Sequence, residues 1–393
     1  MIHLFINALA ATAGGGVTYI RNLIPQLSRR SGVQVTVLVN DSLRSDLQPA
    51  ANISYLNDEF SGGVTRFWKE QFRLPALIRN SGADVLLSAG NFALRNSPIP
   101  QILLSRNSLY TSADFYRDVL ARRHYTIWLD TKLKSYLARQ SVMWADCTVA
   151  PSHTFAAELK AWTGREVIPI HHGFDRDIFF SEATRLPEDA ERALQSSADA
   201  LRLLFVSHYN YYRNFETLLR ALPHIRQQLA PWPIKLFLTC EFRSRDNPGS
   251  YRAEAAAALL QGMGIRDNVI ELGNIPYAAL HRLYRSCDVY VTPAYTETFA
   301  HPLVEAMACG VPVVASDLPV HREICGEAAL YFDRFSEEAL AQRVLDLAHS
   351  QRLRERLSAC GSRRSAEFSW QRHTDSLLHL ANSLLSAAKI MAA

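Results

Sequence analysis

The stretch TETFAHPLVEAMACGVPVVAS, Thr296 to Ser316, is where the fold is decided. It follows CDVYVTP, Cys287 to Pro293, an apolar β-branched run that reads as a buried strand. Pro302 suits the start of a helix, where its missing N–H leaves no bond unmade. Gly310 suits the stop, and Pro312 opens a second β-branched run. Strand, loop, helix and strand in that order make one parallel crossover. Glu297 falls in its loop and Glu305 near the end of the first helical turn.

Working outward, the same alternation fills the chain. Expected strands in the first half are Ile2–Ala8, Val33–Val39, Asp84–Ser88, Gln101–Ser105 and Cys147–Ala150, with helical stretches such as Val17–Arg29 and Asp114–Arg139 between them. A polar segment, Ser181–Ala200, follows, and the alternation then restarts with LRLLFVS, IKLFLTC, NVIELGN, CDVYVTP, VPVVAS and AALYF. Two such series predict an α/β chain of two facing Rossmann-like domains with parallel sheets. Ligands of such sheets bind at the carboxyl ends of strands, which predicts a site in an interdomain cleft.

The composition agrees. The chain has 393 residues, 48% hydrophobic and 20% charged, an ordinary soluble balance. No apolar run reaches membrane-spanning length, and six scattered cysteines without a C-x-x-C pair read as reduced thiols, so the expected location is cytoplasmic. Charge is uneven: +7 through Arg165 and −3 beyond it. A basic front half suits an anionic partner or a solvated surface.

Two glycine- and acid-bearing loops could carry chemistry. Gly14, Gly15 and Gly16 end the first strand's loop, where backbone can approach an anion at a helix start, or where the chain simply turns tightly. They do not form G-x-G-x-x-G, which disfavours a nicotinamide cofactor. In the opening stretch, the N–H groups of Phe299, Ala300 and His301 surround a helix start and suit a diphosphate. Carboxylates beside it would accept from sugar hydroxyls, so a nucleotide sugar fits. The spacing equally fits a Glu305 that favours the helix dipole and a solvated Glu297.

ETFAHPLVEAMACGVPVVASDLPVHREI resembles the glutamate-x7-glutamate signature of the retaining glycosyltransferases of family four, the glycosyl transferases group 1. GGGVTYIRNLIPQLS, VIPIHHGFDRDIF, VSHYNYYRNFETLLRAL and FSWQRHTDSLL resemble other family segments in the same order. The resemblance implies the GT-B fold. Residues 1–170 would bind the acceptor, 171–369 the donor, and a helix at about 370–388 would cross back to the first domain. By position, Glu305 would hold the ribose and Glu297 a hydroxyl of the donor sugar.

Where the family carries an arginine and a lysine against the leaving diphosphate, this chain has His208 and Arg213. Arg213 keeps the charge, whereas His208 is cationic only if phosphates raise its pKa. Thr298 and Ala300 replace glycines usual in the motif. Arg106-Asn107 stands where the family has a His-Asp pair near the reacting carbon. Arg106 cannot act as a base; it suits phosphate charge, an anionic acceptor, or the surface. Asn91 ends a strand as a candidate acceptor contact. Gly15 and Gly16 join Arg213, Glu297, Phe299, Ala300, His301 and Glu305 as candidate donor contacts. Asp175 and Asp177 match a D-x-D metal clamp only superficially, since Asp175 suits a helix cap.

These features imply a metal-independent, retaining hexosyltransferase with no cofactor besides its nucleoside-diphosphate sugar. The acceptor would be a glycan or lipid-linked sugar of bacterial polysaccharide synthesis, and nucleic acid is not an expected partner. The alternatives are a catalytically inactive nucleotide-sugar-binding subunit or another GT-B enzyme such as a nucleotide-sugar epimerase. Asp114–Arg139 carries Arg117, Arg122, Arg123, Lys132, Lys134 and Arg139 among five aromatics. It suits peripheral docking on an anionic inner leaflet, or a helix with its aromatics in the core.

Overall fold

Residues 1–12, 14–58, 62–182, 184–243 and 251–392 are described by a computed structural model. In chain order the first half contains β1 (Ile2–Asn7), α1 (Gly15–Ser28), β2 (Val33–Val39), α2 (Asp41–Arg44), β3 (Ile53–Asn57), α3 (Gly63–Ser81), β4 (Val85–Ser88) and β5 (Gln101–Leu104). Next come α4 (Ala113–Ala121), α5 (Tyr125–Trp144), β6 (Cys147–Ala150), α6 (His153–Thr163) and β7 (Ile168–Pro169). The seven strands form one parallel sheet in the order β3-β2-β1-β4-β5-β6-β7. Strands β3 and β7 sit at its edges; β7 is two residues long, and Ser54 and Asn57 interrupt the apolar pattern of β3.

The second half contains α7 (Arg176–Phe179), α8 (Glu188–Gln195), β8 (Leu201–Phe205), α9 (Phe215–Leu229), β9 (Ile234–Leu238), α10 (Glu254–Gly262), β10 (Val269–Glu271) and α11 (Leu280–Arg285). It closes with β11 (Val289–Thr292), α12 (His301–Ala308), β12 (Val313–Ser316), α13 (Pro319–Cys325), β13 (Ala329–Phe332), α14 (Glu337–His349), α15 (Gln351–Ser365) and α16 (Trp370–Ala392). Its six strands make a second parallel sheet, β10-β9-β8-β11-β12-β13. The order reverses between β8 and β11, so that edge is the switch point at which such sheets bind ligands.

The chain is therefore α/β with two Rossmann-like parallel-sheet units. One unit is Met1–Thr111 with Leu129–Gly173 and Ser369–Ala393; the other is Ser112–Trp128 with Phe174–Phe368. Two segments thus group away from their sequence neighbours. Helix α16 joins the first unit, where Trp370, Leu377 and Ala381 share a core with Tyr19, Leu23 and Leu4. Helix α4 joins the second unit, so a division near residue 170 does not describe it. Arg123, at φ 56°, breaks the expected helical stretch Asp114–Arg139 into α4 and α5.

Parallel-sheet alternation places helices on both faces of the first sheet. Phe5 pairs with Leu86, and Leu103 pairs with Ser88, so Phe5, Leu86 and Leu103 share one face. Leu74 and Ile78 of α3 cluster with Phe5 and Leu86, and Val142 of α5 with Leu103. Helices α3 and α5 therefore cover the same face. On the other face Tyr19 of α1 donates to Nε2 of His373 on α16 at 3.0 Å, because Nδ1 of that ring gives its proton to the His171 carbonyl at 2.9 Å. Burial holds His373 down at about 4, so the ring is neutral.

Candidate active site

In the second unit the opening stretch folds as its punctuation implies. Strand β11 ends at Thr292, Ala300 precedes α12, Pro302 lies in its first turn, and Gly310 follows its end at φ 73°. Ala300 adopts φ 62°, a left-handed conformation that costs a non-glycine residue about 1–2 kcal/mol. A glycine, which the motif's resemblance implies here, would adopt that conformation without the cost. Phe299 and Ala300 are buried, and the Phe299 ring sits 4.9 Å from that of His301.

Glu305 is buried, at 5% exposure, and accepts from the Tyr284 hydroxyl of α11 at 2.9 Å. Burial raises its carboxyl to about 7, against which the Tyr284 bond acts to lower it. Among the described residues no cation pairs with Glu305, and a buried acid of raised pKa beside a helix start is a candidate for contact with a ligand. Tyr284 was not legible as its partner, because α11 lies a strand earlier in the chain.

Glu297 and Arg213 come together as an ion pair across the switch point. Arg213 ends the turn after β8, and Glu297 also accepts from the Thr298 N–H at 3.2 Å. The two candidate groups for diphosphate and sugar hydroxyl thus bond to each other. Asn214 fixes the turn: at φ 54° it donates to the Pro293 carbonyl at 3.1 Å and to the Arg334 carbonyl at 2.7 Å. His208 is exposed at the same strand end; desolvation and the Arg213 charge push its pKa down. Both effects disfavour its charged form, and Tyr209 and Tyr211 pack against each other with ring centroids 6.2 Å apart.

In the first unit the candidate residues meet at the carboxyl edge of the first sheet. Arg106 donates to the Gly15 carbonyl at 2.7 Å and to the Ala89 carbonyl at 2.8 Å, and lies 5.1 Å over the Tyr19 ring. Its backbone N–H donates to Asn91 Oδ1 at 2.6 Å. Burial lowers the Arg106 pKa to about 10, which leaves it charged at neutral pH. The residue thus ties three strand-end loops together, a role the sequence reading lacked. A Cβ on Gly16 would come 3.2 Å from Ala11 Cα and 3.6 Å from the Arg106 guanidinium, so this glycine is set by close approach. Asn107 Oδ1 accepts from Leu109 N–H at 3.0 Å and caps a short turn. Asp175 likewise caps α7, accepting from the N–H groups of Asp177 and Ile178 at 3.1 Å each.

Residues 13–178 match Glycosyltransferase Family 4, and residues 188–364 match Glycosyl transferases group 1. Among curated relatives, O-antigen chain mannosyltransferase B of Escherichia coli is 35% identical over 112 residues, 28% of this chain and 29% of that protein. D-inositol 3-phosphate glycosyltransferase of Thermomonospora curvata is 29% identical over 202 residues, 49% of this chain and 45% of that protein. The chain thus spans less than half the length of these two relatives. Sucrose-phosphate synthase from Thermosynechococcus elongatus shares the fold, with a TM-score of 0.76 at 19% identity over 98% of this chain and 100% of that one.

Proposed function

We propose, for a chain that belongs to glycosyltransferase family four, that it moves a hexose from a nucleoside-diphosphate sugar to a glycan or lipid-linked acceptor of cell-surface polysaccharide. The observation that supports this reading is the Arg213–Glu297 pair beside buried Glu305 at the switch point of the second sheet. A donor would exchange that pair for its own bonds: Arg213 to the diphosphate, Glu297 to a sugar hydroxyl, and Glu305 to the ribose. Arg213 then stabilises the charge that develops on the departing diphosphate. With Glu297 accepting from a sugar hydroxyl, no carboxylate in this proposal is left to act as a nucleophile. Retention by front-face attack, assisted by the donor's own phosphate, suits such a site better than a covalent intermediate.

The test is a nucleoside-diphosphate panel read by thermal shift, followed by donor turnover. One nucleotide should raise the melting midpoint, since a ligand of the folded state stabilises it by mass action. Its sugar conjugate should turn over, and turnover should survive excess EDTA because Arg213 supplies the charge a metal would. Loss on chelation that manganese restores would return Asp175 and Asp177 to the site. Saturable binding with no turnover would make the chain a binding subunit, and release of epimer without an acceptor would make it an epimerase.

Peripheral membrane docking belongs to the same proposal, but on a different surface from Arg122. That arginine turns inward, against Asp118 and Glu216. The outward groups are on α3 and α5, which share one face. Trp68 and Phe72 stack with ring centroids 5.9 Å apart, Phe72 being 74% exposed, while Leu129, Leu133 and Tyr136 are likewise exposed. Lys69, Arg73, Lys132 and Arg139 lie on the same helices, and each basic residue near an anionic surface contributes about 1 kcal/mol. No helix among the described residues is long and apolar enough to cross a membrane. The chain should co-sediment with anionic but not neutral vesicles, less so in high salt or as Trp68→Ser/Phe72→Ser. Equal recovery in the supernatant throughout would favour a soluble acceptor.

A further inference from the structure

We propose that Asp118 of α4 and Arg122, which caps the end of that helix, are positioning residues of the donor site, holding the two loops that carry Arg213 and Glu297. The inference rests on the donor reading of that site and adds a part that the second sheet's own sequence does not contain.

Helix α4 is fixed to the second unit in two distinct ways. Ser112 caps it by accepting from Phe115 N–H at 3.2 Å, and the fully buried Phe115 and Val119 form its apolar side. Phe115 meets the Tyr212 ring edge-on, 6.5 Å between centroids. That packing needs no charge. Along its other side α4 makes a chain of charged bonds, and these reach strand-end loops of the second sheet.

Asp118 Oδ2 accepts from the Tyr295 hydroxyl at 2.9 Å, in the loop after β11 and two residues before Glu297. Its Oδ1 accepts from Arg122 Nε at 2.8 Å. Arg122 Nη1 donates to Glu216 Oε1 at 2.9 Å, and its guanidinium lies 4.2 Å over the Tyr211 ring, in the turn that ends at Arg213. The Tyr209 hydroxyl donates to the same Glu216 oxygen at 2.9 Å. Asp114 Oδ2 accepts from Arg334 Nε at 2.8 Å, beyond β13. The loops after β11 and β13 are thus bonded to α4. Arg122 at its end lies over Tyr211 in the loop after β8 and bonds to Glu216 in the first turn of α9. Strands β8 and β11 flank the switch point.

The two key loops also touch each other: Tyr295 N–H donates to the Tyr212 carbonyl at 3.0 Å. Asp118 and Arg122 grip the junction from outside, one from each loop's side. Burial opposes the Arg122 charge, but the carboxylates of Glu216 and Asp118 outweigh it and hold the guanidinium cationic. His124, just past α4, completes the grip. The Tyr211 hydroxyl accepts from Arg252 N–H at 3.0 Å and is hydrogen-bonded to His124 Nδ1 at 2.8 Å. Donor binding must pull Arg213 and Glu297 apart without displacing their backbones, and a helix bonded to both loops supplies that rigidity.

The experiment uses the full chain with Arg122→Met, Arg122→Lys, Asp118→Asn, Tyr295→Phe and the Asp118→Asn/Tyr295→Phe pair. Readouts are amide hydrogen exchange in segments 209–213 and 295–299 and affinity for UDP, GDP and ADP. Arg122→Met should speed exchange in both segments and weaken the nucleotide that wild type binds by at least about tenfold, the effect of one charge-assisted bond. Arg122→Lys should recover part of both, and the paired variant should lose less than the product of its single variants. Unchanged exchange and affinity in Arg122→Met and Tyr295→Phe, with only a lower melting midpoint, would overturn the inference and leave α4 a packing element. If wild type bound none of the three nucleotides, the donor reading would fail separately, and loop exchange would still decide the role of α4. Should Arg122→Met not fold, Tyr295→Phe, which removes one hydroxyl, carries the same two readouts.

Discussion

Glu305→Gln should bind its nucleotide at least about tenfold more weakly than wild type while melting higher at pH 8. The loss follows from the ribose hydroxyls meeting an amide instead of a carboxylate, a charge-assisted bond worth about 1.5–3 kcal/mol. The gain follows from burial. Folding raises the Glu305 carboxyl to about 7, so the folded chain keeps a proton there that the unfolded chain has released. Its contribution to stability is full below the unfolded carboxyl's ordinary value, falls as pH rises towards about 7, and is lost above that. A shift of this size corresponds to about 3 kcal/mol at pH 8, which the neutral glutamine does not lose. Nucleotide affinity in wild type should rise with pH through the same window, as the acceptor ionises. Glu297→Ala, in contrast, should reduce turnover more than nucleotide affinity. Calorimetric melting and nucleotide titration at pH 5, 7 and 8 check all of this. A Glu305→Gln chain that binds as wild type does would remove this residue from the site.

Gly173→Ala should cost more than about 4 kcal/mol, which is exceptional for one methyl group. An added Cβ would lie 2.0 Å from Trp370 N, 2.4 Å from its Cα and 2.5 Å from the Ser369 carbonyl carbon. These are backbone atoms, so no side-chain rotation relieves the clash. Trp370 cannot move away cheaply either. It is 3% exposed, stacks on His172 with centroids 5.6 Å apart, and meets Tyr19 edge-on at 5.6 Å. The variant should therefore loosen the start of α16 from the core it shares with α1. Urea unfolding, with exchange measured along α16, is the check; a wild-type midpoint would mean the backbone yields there after all.

These two residues show what a sequence can and cannot disclose. Glu305 was legible in place, because Pro302 and Gly310 fix the helix around it; its burial and its Tyr284 partner were not. Gly173 was legible only as part of a resembling segment; nothing local says that Trp370 lies against it. The six strands of the second sheet were all legible, since each is a short apolar run between turn signals. Arg106 was legible as a cation at a strand end but not as a clasp on the Gly15 and Ala89 carbonyls.

By itself, the sequence determined the alternation of strand and helix, the two parallel sheets, and the depth of Glu305 in its helix. The alternation and the depth of Glu305 follow from local periodicity and turn chemistry, and the parallel pairing follows from the crossovers that such an alternation requires. Tertiary structure alone decided that Arg213 pairs with Glu297, that Tyr284 serves Glu305, and that α4 belongs with the second sheet. Asp118 and Tyr295 stand 177 residues apart in the chain yet share a 2.9 Å bond. A side chain carries no record of such a partner, because a carboxylate offers the same oxygens to solvent, to a helix start or to a distant hydroxyl. Which of these it meets is fixed only when burial of the surrounding apolar surface brings the loops together.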